Sequence, residues 1–316
     1  MSAEVRRAAE ILKDGGLVAF PTETVYGLGA DASNAAAMAR LYAVKRRPAD
    51  HPVIVHFADA QRAFAWAREV PQAARTLAAK FWPGPLTLIL KRSTKAADFV
   101  TGGQDSVGLR VPGHPVAHAL LAAFGGGIAA PSANRFGRIS PTSAAHVRAD
   151  LGADVDCVLE GGSSEIGIES TIVDLSADRA VLLRPGAIGR EALEAVLGAP
   201  VIDKAAAHGD SPRHSGGLER HYAPRTPTRL VATHALDQEI RASAGRVAVL
   251  AFSRPDARVQ RWRRMPRDAK AYARALYAML RTLDDGVCDA ILIERPPRTP
   301  EWAAVNDRLQ RACAAA

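Results

Sequence analysis

Seven short apolar runs, most of them separated by segments of helical periodicity, constrain the fold of the first 200 residues more than any other sequence feature. The runs have three to five residues each, as expected for buried strands, and lie at residues 17–20, 53–57, 86–90, 107–111, 128–130, 171–175 and 181–183. Apolar residues recur with helical spacing between several of them, at residues 35–44, 60–69, 71–81, 116–124 and 190–197. This alternation predicts an α/β domain that ends near residue 200.

The order of the runs predicts a mixed sheet rather than a purely parallel one. Three strand signals occur between Cys157 and Leu183 without a helical pattern between them. Strands that are joined without a helix usually pair antiparallel, because a parallel pair needs a long crossover connection. The first domain is therefore expected to contain a mixed sheet with flanking helices.

A change of composition near residue 203 predicts a domain boundary. Residues 203–228 have no apolar period and are rich in Gly, Pro, His, Ser and Arg, which is typical of a linker. After it, residues 230–232, 247–252 and 290–293 are predicted as strands, and residues 268–284 as a helix with one apolar face. The predicted organisation is a domain at 1–202, a linker at 203–228 and a smaller α/β domain at 229–316.

Charge is distributed unevenly along the chain. The formal net charge is +8; residues 225–316 contain 17 basic and 10 acidic residues, whereas the first 224 residues contain 24 and 23. The excess indicates an anionic partner. However, the basic residues are 34 Arg and only 7 Lys, so a compositional bias of the genome explains the excess equally well.

The sequence predicts a cytoplasmic protein without a membrane partner. Cys157, Cys288 and Cys313 are odd in number and form no C-x-x-C pair, which is typical of free thiols in a reducing compartment. Residues 2–13 form an amphipathic helical pattern without the apolar core of a signal peptide. The most apolar stretch, residues 115–133, is interrupted by a histidine, three glycines and a proline, so we do not expect it to span a membrane.

Common motifs for nucleotide binding and hydrolysis are absent from the sequence, namely G-x-x-x-x-G-K-[ST], a G-x-G-x-x-G that follows a strand, H-E-x-x-H and G-x-S-x-G. Polar clusters instead lie near the ends of predicted strands, where ligands bind in open α/β sheets. They occupy residues 20–29, 45–52, 128–135 (followed by 140–142), 161–171 and 182–186.

The residue types in these clusters suit a polar, anionic ligand. The hydroxyls and glycines of residues 20–29 suit a small polar molecule, although an ordinary strand-to-helix turn has a similar composition. Lys45, Arg46 and Arg47 can neutralise a polyphosphate, although a solvated basic loop is an equal alternative. Arg110 lies inside an apolar strand, and if it is buried, a carboxylate-bearing ligand would be a natural partner.

Taken together and in this order, the clusters resemble the YrdC-type L-threonylcarbamoyladenylate synthases, and the second domain indicates their long, two-domain form. The motifs that carry the resemblance are Pro21-Thr-Glu-Thr-Val-Tyr-Gly-Leu-Gly29, Lys45-x-Arg47, Trp82-Pro-Gly-Pro-Leu-Thr87, Pro131-Ser-Ala-Asn134, Glu169-Ser-Thr171 and Leu183-Arg-Pro-Gly-Ala187. The resemblance covers the whole chain. It implies a YrdC-like twisted mixed sheet with flanking helices, followed by a smaller Rossmann-like α/β domain.

What the resemblance implies is a nucleotidyltransferase that makes L-threonylcarbamoyl-AMP from L-threonine, bicarbonate and ATP and releases pyrophosphate. This product serves the threonylcarbamoyladenosine modification of tRNA, so proteins that transfer the threonylcarbamoyl group to tRNA are the implied downstream partners. Direct contact with tRNA stays open. Mg²⁺ would enter with ATP, and no separate metal site is implied.

The resemblance also implies roles for individual residues. Lys45 and Arg47 would be the catalytic cations at the phosphates. The residues around L-threonine would be Thr24, His56, Arg110, Ala130 and Ser170, with Arg110 on the carboxylate. The residues around ATP would be Arg47, His51, Ser106, Ser132, Asn134, Ser140, Arg184, Gly216 and Tyr222.

The linker gains a function from the same resemblance. Residues 220–224 match the interdomain segment that covers the active site of the long form as a lid. Just upstream, His214-Ser-Gly-Gly-Leu218 stands where the family usually has Ser-Pro-Gly-Met. Loss of that proline predicts a more flexible start of the lid, so a contact from Gly216 is less secure than one from Tyr222.

Two other functions compete with the synthase. One is an RNA-binding module without catalysis, which is weakened because the cations lie among Thr, Ser and Asn rather than stacking aromatics, and aromatic residues are only 5% of the chain. The other is a carbamoyl-transferring domain of a hydrogenase-maturation protein, which shares the fold. The lack of zinc-finger cysteines and of an acylphosphatase-like segment is unfavourable to it.

Overall fold

The computed structural model describes residues 2–204 and 211–314, and the chain divides into two compact units. The first unit comprises Met1–Phe136, Pro141–Glu165 and Glu169–Gly217, and the second comprises Gly137–Ser140, Ile166–Ile168 and Leu218–Ala316. The predicted linker at 203–228 is therefore shared between the two units, and its residues 205–210 lie outside the described residues.

The first unit alternates strands and helices as the apolar pattern predicts. Its strands are β1 (Val18–Phe20), β2 (Gly27–Asp31), β3 (Ile54–His56), β4 (Leu86–Lys91), β5 (Ser106–Arg110), β6 (Ile128–Ala129), β7 (Cys157–Val158), β8 (Thr171–Asp174), β9 (Val181–Arg184) and β10 (Ile202–Asp203). Its helices are α1 (Ala3–Lys13), α2 (Ala35–Lys45), α3 (Ala60–Phe64), α4 (Gln72–Phe81), α5 (Asp98–Thr101), α6 (Pro115–Phe124), α7 (Ala144–Leu151) and α8 (Arg190–Leu197). Each of the seven predicted apolar runs overlaps one of these strands.

The strands form one mixed sheet, which confirms the predicted fold class. Their order is β10-β9-β8-β4-β5-β3-β6-β2-β1-β7 within the described residues. The pairs β3–β5 and β4–β8 are parallel, whereas β4–β5 and β8–β9 are antiparallel. The β8–β9 pair corresponds to two of the strand signals that have no helix between them, so the predicted antiparallel connection is present there.

Strand β2 lies where the sequence pattern suits a turn. Glycine is unfavourable in strands, and this strand contains Gly27 and Gly29. A Cβ atom at Gly29 would lie 2.9 Å from Ile128 Cγ2 and 2.9 Å from Phe20 Cε1, which belong to the neighbouring strands β6 and β1. Glycine is therefore required because the side chains of both neighbours cross the backbone of β2.

Strand β1 of this sheet is buried on both faces. Val18 and Phe20 of β1 pack into a cluster with Leu12 of α1, whereas Ala19 between them packs into a larger cluster with Leu41 of α2. Successive side chains of a strand point to opposite faces, so both faces of β1 are covered by helices. This is why β1 forms a continuous apolar run rather than an alternating pattern.

The second unit contains a four-stranded parallel sheet within the described residues, as the predicted Rossmann-like α/β domain requires. Its elements are β11 (Thr228–Val231), α9 (Leu236–Ala242), β12 (Val247–Ala251), β13 (Arg261–Arg264), α10 (Ala269–Leu283), β14 (Ala290–Glu294) and α11 (Ala303–Ala312), and the strand order is β11-β14-β12-β13. The sequence pattern misses β13, which holds three arginines and one tryptophan. Its pairing with the buried strand β12, not its own apolar pattern, makes it a strand.

Two further findings concern the cysteines and the character of the helices. The cysteines Cys157, Cys288 and Cys313 are free thiols, as predicted. Among residues 2–204 and 211–314, no helix has the length and apolar character needed to cross a membrane.

An ion pair at the edge of the first sheet yields a test of stability. Asp156 Oδ2 accepts a hydrogen bond from the Leu17 backbone N–H at 2.7 Å, and Arg40 donates to both carboxylate oxygens at 2.6 and 2.9 Å. The Arg40 guanidinium lowers the pKa of Asp156. We expect Asp156→Asn to lower the free energy of unfolding by about 1 kcal/mol at neutral pH, measured by urea unfolding.

The pH dependence of this effect has a defined sign. A carboxyl group whose pKa is lowered in the folded state adds stability above its ordinary pKa and loses it as the pH falls through the lowered value. The difference between the wild type and Asp156→Asn should therefore shrink in acid. The control is Asp178→Asn, which alters an exposed carboxylate. Equal stabilities of wild type and Asp156→Asn at neutral pH would contradict the prediction.

Candidate active site

Helix α2 delivers the first cation of the site. Asn34 caps the start of the helix, and Arg46, in the left-handed conformation with φ +53°, ends it directly after Lys45. Lys45 is 1% exposed, and its Nζ donates hydrogen bonds to the carbonyls of Ser132 at 2.5 Å and Asn134 at 2.6 Å. An ammonium group has three donors, so one remains for a ligand.

Burial is the main cause that lowers the pKa of Lys45 well below its usual value, and the nearby Arg47 guanidinium lowers it further. Lys45 is therefore poorly solvated and lies near a second positive charge, the Arg47 guanidinium. Both effects favour an anionic ligand at this position, because an anion would stabilise the charged ammonium. The Ser132–Asn134 loop is held in place by the same side chain.

Arg47 and His51 form one corner of the site around the ring of Phe136. The Arg47 guanidinium lies 5.3 Å from the Phe136 ring centroid, and the His51 ring contacts the same ring edge to face at 5.3 Å. Arg47 Nη2 donates a hydrogen bond to the Pro52 carbonyl at 2.8 Å. Burial and the Arg47 charge lower the pKa of His51, so the neutral imidazole is favoured there.

Arg110, the last residue of β5, is 4% exposed and is paired with a carboxylate of the protein itself. Its Nη2 donates to Glu23 Oε1 at 2.6 Å, and its Nε donates to the Gly84 carbonyl at 3.2 Å. Glu23 Oε2 in turn accepts a hydrogen bond from the Gly113 N–H at 3.1 Å. Within the described residues, Nη1 of Arg110 makes no hydrogen bond, so a donor is available for a ligand carboxylate as well.

Glu23 is a site residue that sequence reasoning missed. It lies in the middle of the quoted motif at 21–29, yet only Thr24 of that motif was predicted to contact a ligand. The signal was available, because an arginine inside an apolar strand requires a partner and Glu23 is the single acidic residue of that motif. The distance of 87 residues along the chain hides the pairing from local patterns.

His56 lies beside Arg110, because β3 and β5 are parallel and these two residues are in register. Its side chain is 3% exposed, and Nδ1 has no hydrogen-bond partner within the described part of the chain. Burial, followed by the Arg110 charge, lowers the pKa of His56 to about 3. His56 is therefore a neutral imidazole at physiological pH, with one nitrogen available for a ligand.

Ser170 and Arg184 are brought together by the antiparallel pair β8–β9. Arg184 Nε donates to the Ser170 carbonyl at 2.9 Å, and its Nη2 donates to Ser170 Oγ at 3.1 Å. Ser170 Oγ also lies 2.8 Å from Thr87 Oγ1, a second buried hydroxyl that sequence reasoning did not predict for the site. On another element, Thr24 Oγ1 lies 2.8 Å from Thr22 Oγ1.

The start of the predicted lid is hydrogen-bonded to these residues within the first unit. Arg184 Nη1 donates to the Ser215 carbonyl at 2.8 Å, and Ser215 Oγ donates to the Pro52 carbonyl at 3.1 Å. Arg213 N donates to Gln104 Oε1 at 2.6 Å. The segment that lacks the family's proline is thus anchored by side chains and carbonyls of the first unit.

Ser106 and Gly216 lie close to this anchored segment. A cleft is lined by residues that include Ile54, Thr87 and Ser106 of the strands together with Arg213, His214 and Ser215 of the segment. Ser106 itself is buried. Gly216 follows with φ +79°, a left-handed backbone conformation that favours glycine.

The remaining predicted residues fall into two groups. Ala130 and Ser132 follow β6 in the first unit, where the Ala130 N–H donates to the Ile54 carbonyl and Ser132 forms a β-bridge with Gly27. Ser140 and Tyr222 belong instead to the second unit. There, the Ser140 carbonyl accepts a hydrogen bond from Arg281 at 3.4 Å.

Comparison with known proteins agrees with the fold and identifies the family. The family model described as "Telomere recombination", which represents Sua5, YciO and YrdC, matches residues 10–186, and the model described as "Threonylcarbamoyl-AMP synthase, C-terminal domain" matches residues 188–314. The threonylcarbamoyl-AMP synthases of Pyrococcus abyssi and Bacillus subtilis are 38% and 39% identical to this chain; the alignments cover 98% of it and 94% and 92% of the relatives.

A solved structure is similar over the same length. The crystal structure of Pyrococcus abyssi Sua5 complexed with L-threonine has a TM-score of 0.91 and 37% identity, and the match covers 98% of this chain and 94% of that one. Fold and relatives together define an enzyme of the nucleotidyltransferase type. The chain belongs to the threonylcarbamoyl-AMP synthase family, in its long Sua5 form with two domains. The resemblance inferred from the motifs is thereby confirmed.

The environment of His56 leads to a prediction about its titration. Because burial favours the neutral imidazole, we expect its NMR signals to show no protonation above about pH 5. A His56→Gln variant identifies the signals by their disappearance. A His56 imidazole that titrates near its ordinary value of about 6.5 would contradict the prediction.

The lowered pKa of His56 also makes the free energy of unfolding depend on pH. The unfolded chain binds a proton at His56 below about pH 6.5, whereas the folded chain does so only near pH 3. His56 therefore makes the folded state less stable as the pH falls through this interval. Replacement by Gln should flatten the acid limb of the stability curve, measured by urea unfolding.

Proposed function

We propose that this protein condenses L-threonine, bicarbonate and ATP into L-threonylcarbamoyl-AMP, with release of pyrophosphate and water. The observation that carries the proposal is a continuous hydrogen-bonded network in the first unit. Arg47 and Ser215 both donate to the Pro52 carbonyl, and Arg184 joins the Ser215 carbonyl to Ser170. Two buried guanidinium groups are thus held in one network, as binding of a polyphosphate beside a small polar substrate requires.

The amino-acid substrate would be held at Arg110 and His56. L-Threonine is supported as that substrate by the related Sua5 structure, which is a complex with L-threonine. In our proposal the Arg110 guanidinium binds the threonine carboxylate with the donors that Glu23 and Gly84 leave available. Thr24, Ala130 and Ser170 would complete the surroundings, and neutral His56 would add a hydrogen bond without a competing charge.

The reaction needs positioning and charge stabilisation rather than a covalent enzyme intermediate. Attack of the threonine nitrogen on bicarbonate gives a carbamate and water. A carbamate oxygen then attacks the α-phosphorus of ATP, and the bond to pyrophosphate breaks. Lys45, Arg47 and Arg184 would stabilise the negative charge that develops on the leaving pyrophosphate.

The adenosine and phosphate contacts follow the family likeness residue by residue. We propose that His51, Ser106, Ser132 and Asn134 contact ATP in the first unit, together with Gly216 of the anchored segment. Ser140 and Tyr222 are proposed as further ATP contacts that belong to the second unit.

Mg²⁺ is proposed to enter with ATP. In the part of the chain that the structure describes, no group of three or more His, Cys, Asp or Glu side chains is arranged to hold a metal ion. Mg²⁺ is commonly bound by substrate phosphates and water with few protein ligands, so the residues present fit a metal that the nucleotide carries. When bound, it would neutralise phosphate charge alongside Arg47 and Lys45.

The product also indicates the biological setting. Threonylcarbamoyl-AMP is a reactive mixed anhydride, so we propose that it passes to proteins that transfer the threonylcarbamoyl group to adenosine in tRNA, in the cytoplasm. An RNA-binding function without catalysis is the competing hypothesis, and a direct assay of turnover separates the two.

The central test is release of pyrophosphate. Purified protein with ATP, L-threonine and bicarbonate should release pyrophosphate and form a product with the mass of threonylcarbamoyl-AMP, measured by a coupled assay and by mass spectrometry. Omission of threonine should abolish the release, because the carbamate cannot form. Pyrophosphate release that does not depend on threonine, or no release at all, would exclude the proposed reaction.

The role of Arg47 can be tested against its neighbour. Arg47 is 7% exposed, whereas Arg46 beside it is exposed to solvent, so the two residues provide a matched pair. Arg47→Gln should lower kcat by about 100-fold, because it removes a cation at the developing charge. Arg46→Gln should leave turnover close to the wild type. Similar activities of the two variants, with both folded by thermal melting, would remove the phosphate role of Arg47.

A further inference from the structure

Arg308 in α11 is a buried cation of the second unit that the proposed reaction does not use. Its side chain is 0% exposed and is among the largest fully buried side chains of the described residues. Burial of a guanidinium is unfavourable unless its charge and its donors are compensated. The partners of Arg308 therefore indicate why an arginine stands at this position.

Asp307 is the acidic partner of Arg308 and of a second arginine. Arg308 Nη1 donates to Asp307 Oδ2 at 2.6 Å. Arg311, one turn further along α11, donates through Nε to Asp307 Oδ1 at 3.0 Å. One carboxylate thus orients two guanidinium groups on the same helix.

Both arginines contact the segment 218–222, which the sequence identified as part of the lid. The Arg308 guanidinium lies 5.4 Å from the ring centroid of Tyr222, at the distance of a cation–π contact. Arg311 donates to the Leu218 carbonyl, and the His221 N–H donates to the Arg311 carbonyl at 3.2 Å. The Tyr222 ring also packs on Tyr277 of α10, with 5.8 Å between ring centroids.

Tyr222 needs such support because its backbone is strained. Its φ is +61°, in the left-handed region that non-glycine residues avoid. Residues persist in this region only where their surroundings determine the conformation. Here the next residue, Ala223, also donates its N–H to the Gly137 carbonyl at 2.9 Å, so the turn is held on both sides of Tyr222.

We infer that Arg308 is a positioning residue, which Asp307 orients and which holds the Tyr222 ring and its strained backbone in one conformation. The inference rests on the proposed function, in which Tyr222 contacts ATP. It gives the second unit a defined contribution to the proposed reaction, namely a Tyr222 that is held in one conformation. Without the cation–π contact the turn at Tyr222 would become more flexible. Part of the free energy of ATP binding would then be used to order the turn again, so the affinity for ATP would fall.

The test is a separation of KM from kcat in the full-length protein. Arg308→Met should raise KM for ATP by about tenfold, the value expected for loss of a desolvated cation–π contact, with little change in kcat or in KM for threonine. Arg308→Lys keeps the charge but not the planar guanidinium, so it should restore part of the affinity. Hydrogen exchange of the amides in residues 218–223 should be faster in Arg308→Met than in the wild type.

A double-mutant cycle with Tyr222→Ala distinguishes this inference from the proposed function. Tyr222→Ala should raise KM for ATP, and Arg308→Met should add nothing in that background, because its effect acts through Tyr222. Additive effects, or an unchanged KM in folded Arg308→Met while Tyr222→Ala raises it, would overturn the positioning role alone. An unchanged KM in Tyr222→Ala would overturn the proposed ATP contact and the inference with it.

Two further variants serve as a control and as an alternative test. Arg298→Met removes an exposed arginine of the same unit and should leave KM for ATP unchanged. If Arg308→Met does not fold, Asp307→Asn tests the same arrangement, because it removes the charge that orients Arg308 and keeps the shape of the side chain. It should raise KM for ATP in the same direction, and an unchanged KM in a folded Asp307→Asn would count against the inference.

Discussion

Buried positive charge governs how the first unit is built around its candidate site. Lys45 is almost fully buried, yet the groups that satisfy its donors are carbonyls, which are dipoles and do not neutralise its charge. Arg47 lies close enough to lower the pKa of Lys45 further. The first unit must therefore hold like charges near each other in a poorly solvated place. Such an arrangement is costly by itself and would be relieved by an anion, so it favours an anionic ligand beside Lys45 and Arg47.

The backbone geometry follows from the need to place these cations. Helix α2 ends directly after Lys45, because Arg46 takes the left-handed conformation, and Arg47 then turns toward the Pro52 carbonyl. The antiparallel pair β8–β9 sets Arg184 against Ser170, and Arg184 in turn holds Ser215. The end of helix α2 and the ends of strands β8 and β9 thus fix the positions of these charged side chains.

The success of the sequence-based predictions differs between elements for physical reasons. Strands β3, β4 and β5 are detectable because most of their residues are buried and each contains a short apolar run, although β5 also holds Ser106 and Arg110. Strand β2 is rich in glycine, since the side chains of its neighbours cross its backbone, and β13 is rich in arginine, so neither has an apolar pattern. In the site, Lys45 and Arg110 stand out locally, whereas Glu23 and Ser215 were not predicted because their partners are distant in sequence.

The amino-acid pattern alone was sufficient to identify the α/β class, the mixed sheet, the second domain and the family, because periodicity and short motifs are local properties of the sequence. The three-dimensional structure was needed to identify the partners of the buried charges. These are Glu23 for Arg110, the Ser132 and Asn134 carbonyls for Lys45, and Asp307 for Arg308. A buried charge is compensated by the polar groups that the fold brings within hydrogen-bond distance of it. Glu23 and the two carbonyls come from elements that are far from Arg110 and Lys45 along the chain, so the sequence pattern does not reveal that they are in contact.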